Sequence, residues 1–166
     1  MRQIGKMNLT PSNLCVADTG VLIELSRLGY LETLQQLFEK VLAPPAVLLE
    51  LQTVIAPLWL ELVQPSQDIL EIVNSETNLG RGESEALVVA LELEAWILLD
   101  DRKARRYAKN KGISSIGTLG LLISIHQNGW AKRSAQDDLD LLATGLWITT
   151  DLLNAALHEM TKIEKE

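Results

Sequence analysis

Cysteine, aromatic side chains, positive charge and long apolar runs are all scarce in this chain of 166 residues. The single cysteine, Cys15, leaves no intramolecular disulfide possible, which suits a reducing compartment. It stands in an apolar run before Asp18 and reads as a small buried residue. Aromatic residues make up 4% and aliphatic ones dominate, a profile that suits helices packed on a buried sheet. No apolar run approaches the roughly 20 residues of a membrane span. The first 14 residues, MRQIGKMNLTPSNL, contain no apolar stretch of signal-peptide length. The expectation is therefore a soluble cytoplasmic protein with no membrane partner. Lys and Arg number 15 against 22 Asp and Glu, a formal charge of −7. That balance argues against a protein that merely coats nucleic acid. It argues less against a nuclease, whose clustered carboxylates a metal ion neutralises while local basic patches guide the substrate.

Several chemistries lack their residues. No Ser–His–Asp or Cys–His set can be assembled, and His126 and His158 are not spaced as metal ligands. Gly80-Arg81-Gly82 lacks the strand, spacing and lysine of a phosphate-binding loop. A receiver domain needs an acidic pair at its first strand, and an aspartyl-phosphate phosphatase needs an early Asp-x-Asp. Asp18-Thr19-Gly20 supplies neither. The 47% hydrophobic content argues against disorder, and the length fits one domain with a real core.

What the chain does contain is apolar strands alternating with helices. Residues 1–13 read as a leader and 14–166 as a single domain. Strands are expected at Leu14–Asp18, Lys40–Ala43, Ala95–Leu99 and Ile113–Ile116, with Trp59–Val63 a further strand at the sheet edge. Helices are expected over Val21–Leu28, Leu31–Phe38, Pro45 to about Thr53, Glu83–Glu94, Arg102–Lys111, Thr118–Gln127, Ala135–Ala143 and Asp151–Met160. Asp68–Val73 fits strand or helix. Such alternation implies a parallel sheet covered on both faces, with ligands bound beyond the carboxyl ends of its strands.

Carboxylates stand at those ends. Asp18 follows the strand LCVAD, where it can cap the next helix, bind metal, or both. Glu50 lies in the apolar helix PPAVLLEL. Glu83 and Glu85 share the first turn of a helix, where negative charge is favourable. They differ by about 200° around its axis, and Glu85, beside the Leu87–Leu91 core stripe, is the choice for the site. Asp100 and Asp101 end the strand AWILLD; one suffices as a cap, so the other is expected to face a metal. Together these oxygen donors suggest a shared site for a hard cation such as Mg²⁺. The following helix carries Arg102, Arg105, Arg106 and Lys109 at i, i+3, i+4 and i+7, one basic stripe placed to meet phosphates. Trp130-Ala131-Lys132-Arg133 is a weaker nucleic-acid candidate.

Three strings in order, DTGVLIELSRLGYLETLQQLF, VLAPPAVLLEL and GRGESEALVVALELEAWILLDDRKARRYAKNKGISSIGTLGLL, resemble the PIN-domain superfamily. They are most similar to a prokaryotic branch described as a domain of unknown function, with predicted nucleic-acid-binding members. The resemblance spans roughly residues 14–160. It implies a three-layer α/β/α fold with a central, mainly parallel sheet. It also implies a Mg²⁺- or Mn²⁺-dependent ribonuclease, often the toxin of a toxin–antitoxin pair. Asp18 matches the family's first acid, Glu50 the second and Glu85 the third. The fourth falls on Asp100 or Asp101, and alignment on Ala108 favours Asp101. Gly20 departs from the pattern, since many members carry Asn or Ser there in support of the metal site. The helices from about Ala135 are expected to serve a homodimer or an antitoxin partner. The rival expectation is a non-catalytic binding module of the same fold.

Overall fold

The computed structural model describes residues 14–52 and 54–162. The expected leader, residues 1–13, lies outside them. Five parallel strands form one sheet in the order β3-β2-β1-β4-β5: β1 Leu14–Ala17, β2 Lys40–Ala43, β3 Leu60–Leu62, β4 Trp96–Leu98 and β5 Ser115–Ile116.

The register explains why the central strands β1 and β4 are apolar throughout. Val16 lies opposite Leu42 on one side and Ile97 on the other. These three share a face and pack on Ala86, Leu87, Val89 and Ala90 of α5 (Arg81–Glu92) and on Ala104 and Ala108 of α6 (Arg102–Asn110). Their neighbours Cys15 and Val41 point to the other face and are also buried. Both faces are thus covered by helices, as a parallel sheet requires.

From β1 the chain passes through α1 (Thr19–Leu28), a 3-10 turn at Leu31–Thr33 and α2 (Leu34–Leu37) to β2. The expected single helix Leu31–Phe38 is therefore broken in two. After α3 (Pro45–Glu50) and β3, the chain returns across the sheet through α4 (Gln67–Glu76) and α5 to β4. Asp68–Val73 thus belongs to a helix. α3 is shorter than expected because Leu51 leaves the helical region (φ −74°, ψ 62°) and the Gln52 N–H turns back to the Glu50 carbonyl at 2.8 Å. Thr53 lies outside the described residues.

β2 and β3 extend the sheet to one side of β1, β4 and β5 to the other. The direction of winding reverses between β1 and β4. In open α/β sheets the crevice at such a reversal, beyond the carboxyl ends of the strands, is where ligands bind. Asp18 and the pair Asp100–Asp101 follow those two strands, and the Asp18 N–H continues the ladder to the Leu98 carbonyl at 3.1 Å.

The chain divides into two compact units. The first ends at Thr118 and contains the sheet and its helices through α6. The second holds the described residues from Leu119 onward. It comprises the rest of α7 (Thr118–Gln127) with α8 (Ala135–Ala143) and α9 (Thr150–Thr161). Within it Asp138 is fully buried, with the His126 Nε2 at 2.8 Å and the Arg133 Nε at 2.7 Å. No helix among the described residues is long and apolar enough to cross a membrane.

Candidate functional site

Asp18 leaves β1 in an extended conformation (φ −82°, ψ 155°) and caps α1. Its Oδ2 accepts from the Gly20 N–H at 3.4 Å. Burial and the nearby negative charges of Glu83 and Glu50 push its carboxyl up to about 6, against the opposing pull of the Thr19 and Gly20 N–H groups. A buried carboxylate with two acidic neighbours is held in its least comfortable form at neutral pH.

Glu50, at the end of α3, is exposed as a residue, yet its head group is placed closely. Its Oε2 accepts from the Thr19 hydroxyl at 2.8 Å. Both oxygens lie against the Cα of Gly82, where a Cβ would meet them at 2.8 and 2.9 Å. Gly82 is a helical residue whose role is close approach, not backbone freedom. Leaving out its side chain makes room for the Glu50 carboxylate.

Glu83 lies in the first turn of α5, and its Oε2 accepts from the Gly80 N–H at 3.1 Å. Gly80 has no side chain to answer, so this is half of a capping box. Burial, with lesser contributions from the charges of Asp101 and Glu50, raises the Glu83 carboxyl above its ordinary value. Asp101 is exposed and caps α6, its Oδ1 accepting from the Ala104 N–H at 2.8 Å. The four carboxylates that sense one another are therefore Asp18, Glu50, Glu83 and Asp101.

Glu85, the sequence-based choice, is placed differently from Glu83. Glu85 is buried at 3% exposure and engaged elsewhere. Its Oε2 accepts from the Ala46 N–H at 2.9 Å, and its Oε1 from the Arg81 Nε at 2.9 Å. Glu85 thus ties α5 to the first turn of α3. The two glutamates point apart as their helical offset requires, with the structural role falling on the one beside the core stripe.

Asp100 and Asp101 also divide as adjacent residues must. Asp100 is half-buried and bonds the Thr118 N–H at 2.8 Å and the Thr118 hydroxyl at 2.6 Å. Burial raises its carboxyl, while the bonds from Thr118 and the positive charge of Arg105 pull it back. Gly117 gives it room: a Cβ there would meet the Asp100 Oδ1 at 2.7 Å.

Of the expected basic stripe, Arg105 is placed beside Asp100, and Arg102, Arg106 and Lys109 are exposed on α6. Lys111 is turned to Glu76 at 2.9 Å. Arg133 of the weaker Trp130–Arg133 candidate is bonded to Asp138.

A family model described as "DUF3368: PIN domain" matches residues 14–162. The chain belongs to the PIN-domain family. PIN domains commonly are nucleases, and those nucleases typically use divalent metals. Among solved structures this PIN domain is similar to a PilT N-terminus domain protein, SSO1118, from the hyperthermophilic archaeon Sulfolobus solfataricus P2. The identity is 17%, with 82% of this chain and 96% of that one covered and a TM-score of 0.42. No curated protein matches the chain.

Residues given no role in the sequence, Thr19, Gly82, Gly117 and Thr118, all act across long separations. Thr19 reaches Glu50 over 31 positions and Thr118 reaches Asp100 over 18. The dipeptides Asp18-Thr19 and Gly117-Thr118 stand after the first and last strands, and that placement was the available signal.

Proposed function

We propose that this PIN domain is a divalent-metal-dependent endoribonuclease, with Asp18, Glu83 and Asp101 as the principal ligands of Mg²⁺ or Mn²⁺ and Glu50 as a further one. The observation that carries the reading is the placement of Asp18, buried directly after β1. It lies within electrostatic reach of Glu83 and Glu50, at the point where the sheet reverses its winding. Among the described residues no three His, Cys, Asp or Glu side chains form a ready-made metal cage. The donor set nonetheless fits a hard cation, being all carboxylate oxygen. Asp101 and Glu83 each use one oxygen as a cap, which leaves the second to reach a cation without dismantling the helix ends. Asp100 keeps the turn before Asp101 in place through Thr118.

A bound metal would lower the pKa of a water and stabilise charge on the phosphate. One carboxylate of the set would accept the proton of the attacking water. Arg105, with Arg102, Arg106 and Lys109 along the exposed face of α6, would hold the flanking phosphates. Cytoplasmic RNA is the proposed substrate. The proposal extends, on the family resemblance, to a homodimeric toxin restrained by an antitoxin protein. It predicts growth arrest on expression that is lost in Asp18→Asn.

The decisive test is cleavage of RNA in Mn²⁺ by the wild type, Asp18→Asn, Glu83→Gln and Glu85→Gln. The first two substitutions should abolish cleavage, and the third should retain it in the folded fraction. Wild-type cleavage by Asp18→Asn would refute the assignment.

The lack of a ready-made cage favours a second reading, a non-catalytic RNA-binding module. Gly20 adds to it. A Cβ there would lie 3.5 Å from the Asp18 Oδ2, so an Asn or Ser would reach that carboxylate and glycine does not. This reading predicts RNA binding without cleavage and no rise in Tm on adding Mn²⁺.

A further inference from the structure

Opposite the carboxylates, where the strands begin, lies a cavity of about 610 Å³. Leu14 opens β1 and Trp96 opens β4 on its walls, and the ends of α5 and α6 complete it. Its volume is that of a small-molecule site. Leu91 and Trp96 are only half-buried and Leu93 is 42% exposed, so the apolar wall is incompletely covered.

Two helix ends bring negative potential to this cavity. Helices of 12 and 9 residues end there, each with the negative end of its dipole. Both close in the same way, the Ala95 N–H bonding back to the Ala90 carbonyl at 3.0 Å and the Ile113 N–H to the Ala108 carbonyl at 2.8 Å. That closure needs a left-handed residue, for which glycine is the unstrained choice. α6 uses Gly112 at φ 75°. α5 uses Glu94 at φ 51°, the one non-glycine residue with positive φ among those described. The backbone requirement is therefore no reason for a glutamate at this position. Its exposed side chain lies on the cavity lining. Strain of this kind is retained where a side chain has work to do. Lys111 also lines the cavity, but its ammonium is bound by Glu76 at 2.9 Å and lies 5.3 Å from the centre of the Tyr107 ring.

We propose that this cavity is a second ligand site, for an organic cation with an apolar body: an amine, amidinium or guanidinium. Glu94 and the two helix ends receive the charge, while Leu93 and Trp96 receive the body. An aromatic wall adds attraction for a cation. The site is at the opposite end of the sheet from the carboxylates and stands or falls independently of the nuclease reading.

The probe is benzamidine, with neutral benzamide as its isostere, titrated into the ¹⁵N-labelled full chain. The amides of Ala95 and Ile113 and the Trp96 indole should shift saturably with benzamidine. Benzamide, and benzamidine with Glu94→Gln, should bind at least tenfold more weakly. Glu94→Gln keeps the backbone and length and removes only the charge. Glu94→Gly should lose binding while its Tm rises by about 2–4 °C as the strain is relieved. Absence of saturable shifts at these positions, equal binding of benzamide, or undiminished binding by Glu94→Gln would each overturn the proposal.

Discussion

Asp18 carries the sharpest consequence for stability. Its carboxyl titrates near 6 in the folded protein against an ordinary 3.8. Between those values the folded state holds the proton that the unfolded chain releases. Stability from this group therefore falls as pH rises from about 4 to about 6 and stays low above that. At neutral pH the penalty is about 3 kcal/mol in metal-free protein. Asp18→Asn keeps a good helix cap and removes the charge. In EDTA at pH 7.5 its Tm should exceed that of the wild type, and the gap should close by pH 4. A lower Tm for the Asn variant at both pH values would show that the cap outweighs the repulsion. Gly82 gives a second residue-scale prediction. Alanine in a helix normally adds about 1 kcal/mol over glycine. Here the new methyl would lie within 2.9 Å of both Glu50 oxygens and drive them off Thr19. Urea denaturation of Gly82→Ala should show no gain, or a loss of about 1 kcal/mol.

At the scale of elements, α3 and α5 are joined through Glu85. Removing its carboxylate leaves the Ala46 N–H without its partner, at about 1–3 kcal/mol. The Arg81 side chain is 72% exposed, so that ion pair adds little. Glu85→Ala should therefore lower stability by about 2 kcal/mol in urea. Glu83→Gln should stay within about 0.5 kcal/mol of wild type. RNA cleavage should respond in the reverse order. If Glu85→Ala loses cleavage without losing stability, the roles of the two glutamates are exchanged. The sequence could not separate them because both stand in one turn and the partner that decides lies 39 positions away at Ala46. The division between Asp100 and Asp101 was legible in principle, since neighbours point apart. Where Asp100 points depends on Thr118, which is brought to it only when β5 joins β4. The end of α3 was misread for a similar reason: the apolar run continues past Glu50, but Leu51 buries its side chain from a non-helical backbone.

For the whole molecule, the parallel sheet was readable because each apolar run stops at a residue that punctuates it: Asp18 after β1, Pro44 after β2, Asp100 after β4 and Gly117 after β5. The return from β3 to β4 was less readable, because Asp68–Val73 carries too few residues to fix its period and only packing of α4 on α5 selects the helix. Charge distribution was readable too, and it supports a prediction that needs no cleavage. The chain is acidic overall at −7, so the proposed ribonuclease role requires attraction for RNA from a local surface, and α6 is the element that concentrates basic side chains. Each phosphate contact to a single strand contributes about 0.7 to the slope of log affinity against log salt. Arg106 and Lys109 are exposed on α6 and make none of the bonds that hold Asp100 or Asp101. Replacing both with glutamine should weaken RNA binding between 50 and 200 mM salt and flatten the slope by about 1.4. Cleavage at saturating RNA should be unchanged, because the carboxylates are untouched. An unaltered slope would move the RNA path off α6. A flattened slope with lost cleavage at saturation would mean that these two side chains also orient the scissile phosphate.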